Sequence, residues 1–191
     1  LGMEEKADAV ERPWDMIVQM PGQPNRIWPK GTSIIDVFDE MNQCLLLLGE
    51  PGAGKTTMLL DLARDAIDRA ERDPTEPIPV VFNLSSWGAK KGPINEWLVD
   101  ELRSKYFVGK KDASAWVNNN ELLLFLDGLD EVRAELRNDC VAALNAFRKH
   151  AIPMVACSRM ADYAALTSRL NFSGAIVLQP LSAPQVEQYL E

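Results

Sequence analysis

The stretch from Cys44 to Leu60, CLLLLGEPGAGKTTMLL, constrains the fold more than any other part of the chain. Its first residues, Cys44 to Leu48, form an apolar run typical of a buried β-strand, and an amphipathic helix is predicted from Thr56 to about Ala70. Between them lies a glycine, four further residues and then Gly-Lys-Thr, a pattern typical of loops that bind phosphate. A strand that passes through such a loop into a helix favours an α/β fold.

The residue types in this loop suit a nucleotide phosphate. Glycines permit positive φ angles and a close approach of the backbone to an anion, and the following helix directs its positive end to the same point. Lys55 would supply a point charge for the outer phosphates, and the Thr56 hydroxyl is placed to coordinate Mg²⁺. A glycine-rich turn without a ligand is disfavoured because both flanking segments match the required context. The predicted phosphate-binding residues are Gly49, Glu50, Pro51, Gly52, Ala53, Gly54, Lys55, Thr56 and Thr57.

Strands and helices are predicted to alternate along the rest of the chain, which indicates a parallel sheet with right-handed crossovers. The run from Leu122 to Leu126 is apolar without alternation, as expected of a strand covered on both faces. Further strands are predicted at 78–84, 152–157 and 175–178, and helices at 34–41, 93–102, 112–118, 133–149, 161–170 and from about 183. Residues 31–191 are therefore predicted to form one domain, and the proline-containing segment 1–30 an extended arm or linker.

Acidic residues follow the apolar run that ends at Leu126. Asp127 comes directly after it, which suits a carboxylate that holds Mg²⁺ beside the phosphate loop. Hydrolysis also needs a group that orients or deprotonates water, and Asp130 and Glu131 are the candidates, with Asp130 preferred. Gly128 stands where many ATPases with such a loop carry a glutamate, so the base must be displaced along the chain. The alternative role of both acids is to cap the helix that follows.

Arg159 follows another predicted strand and is a candidate for contact with the outermost phosphate. A guanidinium group suits this role because it binds phosphate oxygens bidentately, so Arg159 could report whether that phosphate is present. Ser158 could form a hydrogen bond to the nucleotide in the same area. The alternative for Arg159 is an exposed salt bridge.

Composition narrows the functions that remain. The net charge of −8 gives no general attraction to nucleic acid, so no direct nucleic-acid binding is expected. No apolar run approaches the roughly 20 residues that span a membrane, so a cytoplasmic chain without membrane contact is predicted, and an anchor elsewhere in a longer protein stays open. Cys44, Cys140 and Cys157 are expected to be buried thiols rather than disulfides or zinc ligands, and His150 is the only histidine.

Together these motifs resemble the NACHT family, signal-transducing nucleotide-binding switches of the STAND group within the P-loop ATPases. The resemblance covers about 34–191 and is carried by GEPGAGKTT, LLLFLDGLDEV and VACSRM. A small residue after the metal-binding aspartate with an acid two positions further, here Gly128 and Asp130, is similar to the family pattern, and Ser158-Arg159 resembles its sensor motif. NLSSW and the closing LSAPQVEQYL look like bacterial members.

The resemblance implies a three-layer α/β/α sandwich around a five-stranded parallel sheet of order 5-1-4-3-2. The strand of Arg159 would lie between the loop strand and the strand of Asp127. It also implies ATP or ADP with Mg²⁺ as the ligand, slow hydrolysis, and nucleotide-dependent self-association of the full-length protein. Helical and winged-helix regions normally follow this domain in the family, and the chain ends before them.

Three other functions remain as alternatives. A kinase-like phosphotransferase is disfavoured because no acceptor site or arginine-rich lid is visible in the sequence. A GTPase is disfavoured because no Asn-Lys-x-Asp guanine motif occurs. The third alternative is a scaffold that binds nucleotide without turnover.

Overall fold

The computed structural model describes residues 16–19, 26–27, 33–148 and 152–179. Within them the chain forms a seven-stranded sheet with helices on both faces. The strands are β1 (Met16–Gln19), β2 (Arg26–Ile27), β3 (Cys44–Gly49), β4 (Ile78–Asn83), β5 (Leu122–Asp127), β6 (Met154–Arg159) and β7 (Gly174–Leu178). The helices are α1 (Ile34–Glu40), α2 (Lys55–Arg72), α3 (Ser85–Lys90), α4 (Ile94–Lys105), α5 (Lys110–Asn118), α6 (Arg137–Phe147) and α7 (Met160–Ala164).

The sheet has the strand order β2-β1-β7-β3-β6-β5-β4. The five strands from β7 to β4 are parallel, and counted along the chain from β3 their order is 5-1-4-3-2. The predicted fold class, a P-loop NTPase sandwich with this sheet, is therefore confirmed. β6, which carries Arg159, lies between the loop strand β3 and the Asp127 strand β5.

The apolar runs form strands because both faces of the sheet are covered. Side chains of β3 alternate between two cores, with Leu45 and Leu47 packing toward α1 and α2. Leu46 and Leu48 pack toward the opposite layer, which α4, α5 and α6 form. Every residue of β3 is buried, so no polar side chain can be accommodated along it, and the uninterrupted apolar pattern follows.

Two strands lie in the segment that was predicted to be an extended arm. β1 pairs antiparallel with β7, with Ile17 opposite Val177, and β2 pairs antiparallel with β1. The arm therefore extends one side of the sheet by two strands within the described residues, and β2 forms the edge. Prolines interrupt the periodicity around these short strands, and β7, which pairs with β1, is far away in sequence, so no local pattern identified them.

Three helix predictions need correction. The predicted 133–149 helix begins only at Arg137, because two 3₁₀ turns, Leu129–Glu131 and Ala134–Leu136, come first. The predicted 161–170 helix ends at Ala164. Between the predicted strand 78–84 and the predicted helix 93–102 the chain forms α3, for which no helix was predicted, and its Gly88 packs so closely that an added Cβ would lie 3.3 Å from Val132 Cγ1. The helix predicted from about 183 lies outside the described residues, as does His150.

Among the residues that the structure describes, no helix combines the length and the apolar character required to cross a bilayer.

Candidate nucleotide-binding site

The carboxyl ends of the parallel strands bring the predicted site residues to one edge of the sheet. Gly49 at the end of β3 lies opposite Arg159 at the end of β6. Asn83 at the end of β4 lies opposite Asp127 at the end of β5. This edge is where open α/β sheets bind ligands, because the loops that leave the strands surround a crevice there.

The phosphate loop connects β3 to α2 with two residues in the left-handed region. Gly52 has φ +77° and Gly54, directly before α2, has φ +82°, conformations that favour glycine. Gly49 differs from the prediction, since it ends a strand and has no positive φ. It is restricted by space instead, because an added Cβ would lie 3.1 Å from the carbonyl oxygen of Leu178 and 3.2 Å from Ala53 Cβ.

The Lys55 side chain turns back over the loop. Its Nζ donates to the carbonyl oxygen of Gly49 at 3.1 Å and to that of Glu50 at 2.9 Å. The ammonium group therefore lies above the backbone that precedes the first turn of α2. Its charge and the N-terminus of an 18-residue helix are directed at one place, which suits an anion.

The two predicted metal ligands contact each other from different elements. Thr56 Oγ1, in the first turn of α2, donates to Asp127 Oδ2 at 3.0 Å. A hydroxyl and a carboxylate are hard oxygen donors, the kind of ligand that Mg²⁺ prefers beside phosphates. This pair, together with the lysine on the loop, fits a nucleotide with Mg²⁺.

Asp130 and Arg159 form a two-point contact across the site. Asp130 Oδ2 lies 2.8 Å from Arg159 Nε, and Oδ1 accepts from the backbone N–H of Arg159 at 3.2 Å. The Asp130 side chain is 10% exposed, whereas that of Arg159 is 51% exposed. The guanidinium is thus held at its base by the aspartate while half of the side chain faces solvent.

Glu131 belongs to the same 3₁₀ turn as Asp130, Leu129–Glu131, which we call the acidic turn, but it contacts Asn83 rather than Arg159. Its Oε2 accepts a hydrogen bond from Asn83 Nδ2 at 2.9 Å. Gly128 has φ +75°, and an added Cβ there would lie 2.8 Å from Glu131 Oε2. Asn83 was not predicted as a site residue. Its position at the end of a strand neighbouring the Asp127 strand was the available signal.

Arg137, the first residue of α6, was also missed. Its Nη2 donates to the Asp130 carbonyl at 2.6 Å, its Nε to the Val132 carbonyl at 2.8 Å, and its Nη1 to Asp162 Oδ1 at 2.6 Å. One side chain therefore fixes the backbone of the acidic turn and ties it to α7, which follows Arg159. No sequence pattern marks this role.

Ser158 and Cys157 lie beneath the site. Ser158 is 1% exposed and its Oγ donates to the Arg159 carbonyl at 3.3 Å, so its contact with a nucleotide stays a prediction. Cys157 is buried, with Sγ 3.9 Å from the Lys55 carbonyl oxygen. Burial raises the pKa of the Cys157 thiol well above its usual value, and the nearby Asp127 carboxylate raises it further. All three cysteines are free and buried, as expected.

Comparison with known proteins supports the same reading of the motifs. The family model of the NACHT domain matches residues 43–191, well over half of the chain. The chain belongs to the NACHT family. This family lies within the P-loop NTPases, which generally bind nucleotide and Mg²⁺, so a nucleotide-binding ATPase module is supported. No curated protein matches the NACHT chain.

The chain is similar to several solved structures at low sequence identity. The Aeropyrum pernix ORC1 protein, solved in complex with DNA, is 16% identical with a TM-score of 0.55, and the match covers 82% of this chain and 46% of that one. C. elegans PCH-2 is 16% identical with a TM-score of 0.45, covering 74% of this chain and 36% of that chain. The Pif1 helicase from Candida albicans is 16% identical with a TM-score of 0.42, covering 83% and 42%. The NACHT chain thus spans less than half the length of each of these proteins.

Proposed function

We propose that this NACHT domain binds ATP with Mg²⁺, hydrolyses it slowly, and acts as a nucleotide-dependent switch in signal transduction. One observation carries the proposal. The phosphate loop, the Thr56–Asp127 pair and the Asp130–Arg159 pair lie at the carboxyl ends of three adjacent strands. A loop alone would suggest phosphate binding, but acids and an arginine at the same edge suggest a response to the terminal phosphate.

Binding would rest on the loop and the lysine. Backbone N–H groups at a helix N-terminus and the Lys55 ammonium are suited to the phosphates. Mg²⁺, held by Thr56 and Asp127, would neutralise charge on the outer phosphate oxygens. Lys55 would exchange its contacts with the carbonyls of Gly49 and Glu50 for phosphate oxygens, which are stronger acceptors because they are charged.

Hydrolysis would rest on the acidic turn. Asp130 and Glu131 are the carboxylates that could orient the attacking water. Turnover would be slow because Gly128 carries no carboxylate directly after Asp127, so the base must come from further along the turn. A domain that releases phosphate slowly can remain in the triphosphate state long enough to relay it.

The switch itself would rest on Arg159. A terminal phosphate would compete with Asp130 for the guanidinium, because Asp130 contacts it through Nε alone, whereas phosphate oxygens can bind a guanidinium bidentately. α7 directly follows Arg159, and Arg137 joins α7 to the acidic turn, so a change at the guanidinium has a route to a helix. In the full-length protein this change would alter self-association.

Thermal unfolding with and without nucleotide tests the proposal. At a hundred times its Kd, ATP with Mg²⁺ should stabilise the chain by about 2.7 kcal/mol. This corresponds to roughly 5–10 °C in Tm for a chain of this size. Lys55→Ala should abolish the shift, whereas Lys111→Ala, an exposed lysine on α5, should leave it intact. Equal stabilisation of Lys55→Ala would refute the phosphate site, and stronger protection by GTP than by ATP would refute the adenine assignment.

A further inference from the structure

The contact between Asn83 and Glu131 indicates that Asp130 and Glu131, the two acids of the acidic turn, have different roles. Asn83 ends β4 directly beside Asp127, and its Nδ2 donates to Glu131 Oε2 at 2.9 Å. We propose that Glu131 is the carboxylate that orients the attacking water and that Asn83 is the residue that positions it. This inference rests on the proposed ATP hydrolysis and goes beyond it, because it assigns separate roles to the two acids and adds a residue to the site.

The orientation of the Asn83 amide is fixed by its other neighbour. Asn83 Oδ1 accepts from the backbone N–H of Ser85 at 2.8 Å, and the Ser85 hydroxyl donates to the same oxygen. A backbone N–H can only donate, so the amide oxygen must face Ser85. The amide nitrogen then faces Glu131, where it can only donate to a carboxylate.

The lack of a side chain at Gly128 makes room for this carboxylate. A Cβ added at Gly128 would lie 2.8 Å from Glu131 Oε2 and 2.9 Å from its Cδ, closer than real Cβ contacts. The Glu131 carboxylate therefore occupies space beside the residue that follows Asp127. The chain brings an acid to this place from three positions further along rather than from position 128 itself.

Asp130 contacts Arg159 instead of Asn83. Both of its oxygens accept from Arg159, one from Nε and the other from the backbone N–H, and its side chain is 10% exposed. Glu131 is exposed, so water can reach it. Asp130, which is largely covered and contacts the arginine, is suited to holding that arginine, and Glu131, which faces solvent, is suited to orienting water.

Hydrogen bonds fix the backbone of the turn at Glu131, so only the Glu131 side chain is left free to change its direction. The Glu131 N–H donates to the Gly128 carbonyl at 3.0 Å, and Arg137 holds the Asp130 carbonyl. A flexible glutamate on a rigid turn needs one hydrogen bond to select its direction, and Asn83 supplies it. Such positioning matters because a displacement of about 1 Å can cost roughly a hundredfold in rate.

Asn83→Asp is the test variant, because the new oxygen can still accept from Ser85 while the donor to Glu131 is lost. Asn119→Asp is the matched control, since Asn119 Nδ2 donates to Glu121 Oε1 at 2.8 Å at the end of α5. Both changes replace an amide with a carboxylate beside a glutamate. The variants are compared in the 191-residue chain.

The first measurement needs no nucleotide. In ¹⁵N-edited NMR spectra, Glu131→Gln should shift the side-chain amide resonances of Asn83, and Asp130→Asn should leave them in place. If the side-chain amide resonances of Asn83 did not shift in Glu131→Gln, the proposal would be overturned, because the two side chains would then not be in contact.

The second measurement is single-turnover hydrolysis of γ-labelled ATP with the chain in excess. Glu131→Gln should slow it roughly a hundredfold or more, and Asn83→Asp should slow it about tenfold or more with the half-saturating concentration unchanged. The double variant should be no slower than Glu131→Gln alone, because Asn83 acts through Glu131. Asn119→Asp should match the wild type.

Three outcomes of this assay would overturn the proposal: an Asn83→Asp rate equal to or above the wild type, an additive loss in the double variant, or a wild-type chain that ATP stabilises without cleavage. The last of these leaves nucleotide binding intact. A chain that ATP does not stabilise at all would overturn the proposed function as well, so the two failures can be told apart.

Discussion

Gly128→Ala should destabilise the chain before any nucleotide is added, and the size of the loss reports where Glu131 lies. Gly128 has φ +75°, in the left-handed region, where a residue with a Cβ costs about 1–2 kcal/mol. The new methyl would also lie 2.8 Å from Glu131 Oε2 and 2.9 Å from its Cδ, so the carboxylate must move.

Moving the carboxylate breaks its hydrogen bond to Asn83. A hydrogen bond to a charged group contributes about 1.5–3 kcal/mol, and because Glu131 is exposed, solvent reduces this to roughly 1 kcal/mol. The expected loss of unfolding free energy for Gly128→Ala is therefore about 2–3 kcal/mol.

Gly52→Ala is the matched control for the backbone part. Gly52 has φ +77°, yet no atom lies within 4 Å of an added Cβ, so only the conformational cost of about 1–2 kcal/mol applies. Urea unfolding followed by the fluorescence of the five tryptophans, without nucleotide, gives the free energies. Removing the Glu131 carboxylate with Glu131→Ala should reduce the cost of Gly128→Ala to that of Gly52→Ala.

Equal losses for Gly128→Ala and Gly52→Ala, to within about 0.5 kcal/mol, would refute the reasoning. The same conclusion would follow from a Gly128→Ala loss that does not change in the Glu131→Ala background. Either result would mean that the carboxylate does not lie against Gly128, and the proposed place of the base would lose its structural support.

Two further predictions concern the arginine and the thiols. Arg159→Ala should reduce the amount by which ATP stabilises the chain more than ADP does, because the guanidinium is expected to contact only the terminal phosphate; an unchanged difference between their Tm shifts would contradict this. At pH 8 a thiol reagent such as DTNB should label none of the three cysteines until urea unfolds the chain. Burial raises the pKa of Cys44 to about 11 and that of Cys140 to about 12, and that of Cys157 also rises, so each stays protonated; rapid native labelling would contradict it.

The parallel core of the fold was predictable because each strand carries its own signal. A strand covered on both faces must be apolar at every position, so β3 and β5 read as uninterrupted runs. β1 and β2 carry no such signal. They are short, prolines surround them in the sequence, and β1 pairs with β7, a strand far away in the chain.

A contact in the site was predictable where each of its two residues belongs to a sequence motif. It was not predictable where only the register of paired strands brings the two residues together. Thr56 and Asp127 are 71 positions apart, but each belongs to a recognisable pattern, so their contact was expected. Asn83 and Glu131 are 48 positions apart, and only the pairing of β4 with β5 brings them together. The three hydrogen bonds of Arg137 depend in the same way on where α6 begins.

The irregular segment after β5 explains why two adjacent acids face different partners. In a 3₁₀ turn successive residues project about 120° apart, so Asp130 and Glu131 cannot point to the same side. β5 lies between β6 and β4, and Asp130 accordingly reaches Arg159 on β6 while Glu131 reaches Asn83 on β4. The two carboxylates therefore lie on opposite sides of Asp127. This lets Asp130 hold Arg159, which we propose contacts the terminal phosphate, while Glu131 stays available to water.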